Sequence, residues 1–240
     1  MSPSIDTAMV LAAGLGRRMR HLSEQRPKPL TEVGGKALID HVLDELDHAG
    51  TRRAVINVHY RADDVLAHLD RRRGRGPAIT ISDERLRLLD TGGALVKARP
   101  LLGAGAIFVA NSDVVRYGGR RPAPLALRDA FDPTRMDVLL LLYPVERAIG
   151  FEGPGDFFLG RDGRLERRGH AERAPFLFAG LYVLALDAIA GITDEVFSAN
   201  RLFDQAIARG RLFGILYDGD WMHVGSPEAL AAAEQALIRP

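Results

Sequence analysis

Through the first half of the chain, short β-branched and apolar runs alternate with segments of helical periodicity. Residues 7–13 (TAMVLAA) predict a buried strand and residues 36–48 a helix. A strand at 53–58, a helix near 62–70, a strand at 78–82, a short helix from Thr91 and a strand at 106–110 follow, the last running into Asn111-Ser112-Asp113. Strands alternating with helices predict parallel βαβ units, because a parallel neighbour needs a long crossover that a helix supplies. After the apolar run 137–143 the pattern changes to strand-like segments at 155–160 and 176–184 separated by Gly and Asp turns such as Arg161-Asp162-Gly163-Arg164. That predicts an antiparallel excursion. A helix near 199–209, a strand at 212–217 and a helix after Ser226-Pro227-Glu228 close the chain, with Ser226 placed as N-cap and Pro227 in the first turn. The expected architecture is one α/β domain over residues 1–240 with a mixed, mainly parallel sheet.

Composition narrows the class. With 47% apolar and 26% charged residues the 240-residue chain can build a sizeable core, which excludes a disordered or fibrous protein. No apolar run approaches the ~20 residues of a membrane span, and residues 1–6 are polar without a cationic stretch, so neither a membrane segment nor a secretory signal is expected and the cytoplasm is the expected compartment. No internal repeat or linker divides the chain. Lys and Arg number 32 against 31 Asp and Glu, a net charge of +1, so no diffuse field would hold nucleic acid or a membrane surface. Any bound anion must be held locally. The absence of cysteine removes thiolate nucleophiles, disulfides and Cys-ligated metals.

Local charge is concentrated in one place. Directly after the first strand comes Leu11-Ala12-Ala13-Gly14-Leu15-Gly16-Arg17-Arg18-Met19-Arg20, then Arg26-Pro27-Lys28-Pro29-Leu30. Between Arg17 and Lys28 five cationic side chains face the single Glu24, and lysine otherwise occurs only at positions 36 and 97. Two glycines after a buried strand let backbone amides approach an anion closely, and phosphate groups are the natural counter-charge. The dinucleotide fingerprint G-x-G-x-x-G lacks its third glycine here, and the only Gly-Lys step, Gly35-Lys36, is followed by Ala37 rather than a hydroxyl residue, so a Walker loop fails too. A plain glycine turn with solvated arginines would not need prolines on both sides of Lys28. Asn111-Ser112-Asp113 ends a strand where an open α/β sheet presents ligands, and Asp113 suits a hard, oxygen-seeking Mg2+ ion.

Residues 11–19 and 27–30 resemble the hallmark L-A-A-G-x-G-x-R-M/L … P-K-P-L of the sugar-1-phosphate nucleotidyltransferases, and the likeness extends over about residues 7–235. It implies a Rossmann-like three-layer (GT-A-like) fold with a nucleotide-binding part near 7–135, a sugar-phosphate part near 136–225 formed by the antiparallel excursion, and a C-terminal helix at 226–238. Within the family the chain most resembles the short bacterial branch, implying UTP as donor and N-acetylmuramate 1-phosphate as acceptor, with GTP and mannose 1-phosphate or another pair as alternatives, and a monomer or homodimer. A chain ending at Pro240 is expected to carry no second catalytic domain.

By the same resemblance Ala12, Ala13, Gly14, Gly16, Arg17 and Arg18 cradle the nucleotide, Arg18 and Lys28 neutralise its phosphates, Asn111 lies beside it and Asp113 is the catalytic metal carboxylate. Arg17 stands where the family has a small or acidic residue. Leu89–Ala94 matches the segment that closes over the nucleobase, Thr91 being the expected N-cap and Gly92 giving close contact to a flat base. Asp156 and Gly180 fall where the family binds the sugar. In Trp221-Met222-His223-Val224-Gly225-Ser226, His223 replaces the family's second metal carboxylate, so it is a candidate metal ligand or phosphate donor. That replacement keeps open a second class, a non-catalytic nucleotide-sugar sensor; Asp218 and Asp220 are close enough in sequence to substitute for the missing carboxylate.

Overall fold

The computed structural model of the protein describes residues 5–238; residues 1–4, most of the segment expected to lack a secretory signal, lie outside the described residues, as do 239–240. In chain order, β1 (Thr7–Leu11) is followed by α1 (His21–Gln25), β2 (Glu32–Val33), β3 (Lys36–Ala37), α2 (Leu38–His48), β4 (Arg53–Val58), α3 (Ala62–Arg71) and β5 (Ala78–Asp83). Then come α4 (Asp90–Leu102), β6 (Ala106–Asn111), β7 (Val114–Tyr117), α5 (Ala123–Ala130), β8 (Val138–Pro144), β9 (Phe157–Leu159), β10 (Leu165–Arg167) and β11 (Phe176–Ala185). The chain ends with α6 (Asn200–Ala208), β12 (Leu212–Leu216), β13 (Asp220–His223) and α7 (Pro227–Ile238). Among the described residues no helix is long and apolar enough to cross a membrane.

Nine of these strands form one sheet, in the order β10-β9-β11-β6-β1-β4-β5, with β8 paired to β11 and β12 to β8. The block β6-β1-β4-β5 is parallel, whereas β11 runs antiparallel to both β6 and β8 and carries the β9–β10 hairpin beside it. The expected excursion is therefore present. Alternation splits each central strand between two cores: Ala8 and Val10 of β1 face α2, α3 and α5, while Met9 faces α4 and α6. Phe108 and Ala110 against Ile107 and Val109 on β6 repeat the division, so the near-continuous apolar runs are strands buried on both faces.

Register fixes what reaches the functional edge. Leu11 pairs with Asn57 of β4 on one side and with Asn111 of β6 on the other, so three strands end together. A separate two-stranded ribbon pairs β7 with β13, His223 opposite Val114. Met19, Val33, Leu38, Val115, Met222, Val224 and Ala233 form a small third core that ties this ribbon to α7 and the loop after β1.

Several boundaries differ from expectation. The first strand ends at Leu11 rather than Ala13, since Ala12 donates its N–H to the Asn57 side chain (2.8 Å) instead of a neighbouring strand. The second helix starts at Leu38, Lys36 and Ala37 being drawn into a hairpin with β2. α4 is not short: it runs thirteen residues with Pro100 inside, and begins at Asp90. Thr91 is not its N-cap, because its Oγ1 accepts the N–H of Ala199 (2.8 Å) and fastens α4 to the start of α6. Ser226 does cap α7, its Oγ accepting the Ala229 N–H (3.2 Å).

Tyr182 carries a buried phenol oxygen with no hydrogen-bond partner among the described residues, while its ring packs edge-on to Phe178 and Phe203. Burial pushes its ionisation above the ordinary tyrosine value. Tyr182→Phe keeps the ring contacts and removes an uncompensated hydroxyl worth about 1 kcal/mol, so calorimetry should show a melting temperature raised by about 2–4 °C.

Candidate active site

The loop after β1 is shaped by its glycines. Gly16 sits at φ +62° in the left-handed region and opens a short 3-10 turn, Arg17–Met19, closed by Met19 N–H to Gly16 O (2.8 Å). A Cβ on Gly14 would meet nothing within 4 Å, so that glycine answers to no packing demand and leaves the backbone open to the cleft. The amides of Ala13, Gly14 and Leu15 have no acceptor among the described residues. Arg20 leaves the turn at φ +54°, a conformation L side chains rarely adopt, and starts α1.

Beneath the loop lies a cleft of about 500 Å³. Its lining includes Ala12, Ala13, Gly14, Gly16, Arg17, Arg18 and Lys28 from the first half of the site, and Thr91, Asn111 and Asp113 from the second. Arg17 and Arg18 make no ion pair among the described residues. They also border a second cavity of about 650 Å³ lined by Gly150, His223 and the start of α7. The other cations of the segment are spent elsewhere: Arg20 bonds Glu228 (2.9 Å) and Arg26 bonds Glu32.

Lys28 Nζ donates to Asp113 Oδ2 at 2.5 Å, with only 12% and 25% of the two side chains exposed. The kinked backbone Pro27-Lys28-Pro29 delivers the lysine: Pro27 is extended (ψ 143°) and Lys28–Leu30 is a single 3-10 turn. Asp113 is delivered by the ribbon, where Val224 N–H donates to Asp113 O (2.9 Å) and His223 stands opposite Val114. His223 Nε2 consequently lies 3.4 Å from the same Oδ2. Burial works to raise the Asp113 carboxyl, but the Lys28 charge and then His223 outweigh it and hold Asp113 well below the usual carboxylate range. It is an ionised carboxylate in a cationic corner.

Not every expected residue reaches the cleft. Gly92 does not line it: its N–H donates to Phe197 O (2.8 Å) and a Cβ there would collide with the Phe197 ring, so the missing side chain makes room for the chain before α6. Asp156 is likewise absent from the lining, and its Oδ2 accepts the Phe178 N–H (2.9 Å). Gly180 sits at φ +74° where the β8–β11 register shifts, and its missing Cβ makes room for Val114 (2.9 Å) and Asn111 (3.4 Å). It shapes the cleft wall through Asn111. Asp218 pairs with Arg120 and Asp220 lies near Arg147, so neither stands in for a second carboxylate at Asp113.

Other functional neighbours were invisible in the motifs. Asn57 Oδ1 holds the Ala12 N–H, its Nδ2 donates to the buried Glu84 (2.9 Å), and Glu84 accepts the Leu89 N–H (3.2 Å), linking the glycine loop to the start of α4. A polar Asn near the carboxyl end of an apolar strand was the one available signal. Ser112 Oγ donates to Leu11 O (2.7 Å) and locks the ends of β1 and β6. Arg116, 1% exposed, grips Glu45 with two nitrogens and donates to Ala179 O (3.0 Å), which also accepts the Trp221 indole N–H (3.0 Å); together they hold the bulge before Gly180.

The family model described as nucleotidyl transferase matches residues 7–151. The N-acetylmuramate alpha-1-phosphate uridylyltransferase of Caulobacter vibrioides is 46% identical over 239 residues, 99% of each chain. A probable mannose-1-phosphate guanylyltransferase of Oryza sativa is 27% identical over 92% of this chain and 61% of its own length. Among solved structures, HddC of Yersinia pseudotuberculosis complexed with GMP-PN superposes with a TM-score of 0.76 at 19% identity, covering 97% of this chain and 100% of that one, a likeness of fold.

Asn57→Ala would leave the Ala12 amide and the Glu84 carboxylate each short of a partner. Urea denaturation should show a loss of about 1–3 kcal/mol with an unchanged slope.

Proposed function

The chain belongs to the nucleotidyl transferase family, and we propose that it transfers the uridylyl group of UTP to N-acetylmuramate 1-phosphate, releasing pyrophosphate. The observation that carries the substrate pair is the 46% identity, over 99% of both chains, to a relative of that name. The chemistry rests on the cleft, where the loop amides, two arginines that make no ion pair among the described residues and the Lys28–Asp113 pair converge.

In this reading a phosphate oxygen of the sugar 1-phosphate attacks the α-phosphorus in line. A new P–O bond forms as the bond to the bridging oxygen breaks, and its electron pair departs with pyrophosphate. Such a transfer asks the protein for alignment and charge neutralisation rather than covalent chemistry. The glycine-loop amides and Arg18 hold the triphosphate, and Lys28 stabilises negative charge building on the leaving group. Asn111, backed by Gly180 and the bulge of β11, borders the side from which the acceptor approaches; Asp156 supports that wall through the Phe178 amide.

The residues present fit a divalent ion bound partly through substrate. Among the described residues no group of three or more His, Cys, Asp or Glu could form a metal cage, yet Asp113 is an ionised carboxylate with His223 beside it. Mg2+ is commonly held by one or two carboxylates together with phosphates and water. When bound, such an ion supplies neutralisation of phosphate charge. Asp113 would face such an ion and Lys28 the phosphates, each exchanging the other as its partner.

Purified protein assayed with UTP, GTP, TTP or CTP against N-acetylmuramate 1-phosphate and mannose 1-phosphate should release pyrophosphate fastest with UTP and N-acetylmuramate 1-phosphate, and only with a divalent ion. Release with GTP and mannose 1-phosphate instead would replace the substrate assignment, and nucleotide binding without release for any pair would support the sensor reading. Lys28→Ala should still fold, with a reduced unfolding free energy, and lose about 10²–10³ in kcat; undiminished turnover would remove Lys28 from the mechanism.

A further inference from the structure

The surroundings of His223 specify its function further than the substitution alone. Its ring lies stacked with that of Trp221, centroids 6.3 Å apart, and Gly225 packs so closely that any Cβ there would collide with the ring. Nδ1 is 3.3 Å from Gly150 O. A carbonyl oxygen only accepts, so Nδ1 carries a hydrogen there and Nε2 is the nitrogen that faces the site. Nε2 in turn faces Asp113 Oδ2, 3.4 Å away. Gly150 is held in turn: it sits at φ +75°, and the His223 N–H donates to Ile149 O (2.9 Å). A histidine pinned through one nitrogen by a backbone carbonyl, with the other nitrogen beside a carboxylate, is an arrangement by which proteins orient imidazole toward a metal.

Resting on the nucleotidyl transfer reading, we infer that His223 and Asp113 form a mixed nitrogen–oxygen ligand pair for the nucleotide's divalent ion, and that this pair shifts preference from Mg2+ toward first-row transition ions such as Mn2+ and Co2+. The spacing suits it: adjacent ligands of an octahedral ion at about 2.1 Å lie about 3 Å apart, and the two donor atoms are 3.4 Å apart. The donor chemistry favours the same conclusion, since Mg2+ prefers all-oxygen ligands whereas imidazole nitrogen suits the later ions. His223 thus replaces a hard ligand by a softer one without vacating the position.

The test uses Mn2+ and α,β-methylene-UTP, with bound Mn2+ observed by electron spin-echo modulation. Wild-type protein should show a directly coordinated 14N, converted to a 15N coupling when the histidines are 15N-labelled, a readout that needs no variant. His223→Asp should lose the nitrogen coupling and shift the Mn2+ over Mg2+ affinity ratio toward Mg2+ by roughly tenfold or more; Asp113→Asn should weaken Mn2+ binding. Bound Mn2+ without nitrogen coupling, an unchanged affinity ratio in His223→Asp, or no Mn2+ binding would each overturn the inference. Pyrophosphate release from UTP and N-acetylmuramate 1-phosphate is scored separately, so a failed ligand assignment with turnover intact leaves the transfer reading standing.

Discussion

The ion pair between Lys28 and Asp113 is the contact on which the rest of the site depends. It joins the proline-bracketed turn after the glycine loop to the start of the β7–β13 ribbon, across 85 residues of sequence, and both side chains are largely withdrawn from water. Unpaired, either charge would be costly there. Paired, they neutralise each other while holding the two loops together. The same Oδ2 faces His223, so one carboxylate couples the lysine turn, the ribbon and, through Gly150, the segment leading into the antiparallel part of the sheet.

Register explains why these groups coincide. Parallel pairing brings the ends of β1, β4 and β6 to one edge at Leu11, Asn57 and Asn111. Antiparallel pairing in the ribbon brings His223 opposite Val114 and so next to Asp113. A one-residue slip in the ribbon would turn His223 to the other face. Trp221 and Arg116, both donating to Ala179 O, tie that ribbon to the bulge of β11. The site is thus a corner where two sheets are clamped, with Asn57, Asn111 and His223 placed by backbone pairing and Lys28 reaching in from its turn.

Much of this was legible because the informative features are local. The glycine loop, the bracketed lysine, the strand-ending Asp113 and the Ser226 cap each write their geometry within a few residues, and each occupies the expected place. The likeness to sugar-1-phosphate nucleotidyltransferases was equally readable, since two short motifs carry it. Features decided by distant partners were not. The packing of Phe197 against Gly92 leaves no local trace, and Thr91 reads as a cap until its hydroxyl is found on the Ala199 amide. The Asn57–Glu84 link joins residues 27 apart through the pairing of β4 with β5, and the meeting of His223 with Asp113 needs the ribbon. Charge counting was blunt for the same reason, because Arg20 and Arg26 are consumed by Glu228 and Glu32 outside the cleft.

A double-mutant cycle on unfolding free energy, with Lys28→Met, Asp113→Asn and the pair together, addresses the central claim directly. Each single change removes one charge and leaves the other partly buried, while the double change removes both. The pair should therefore cost less than the sum of the singles, with a coupling of at least about 1 kcal/mol. Additivity within about 0.3–0.5 kcal/mol would mean that the two loops are held independently, and that the ion pair is not the constraint around which the site is built.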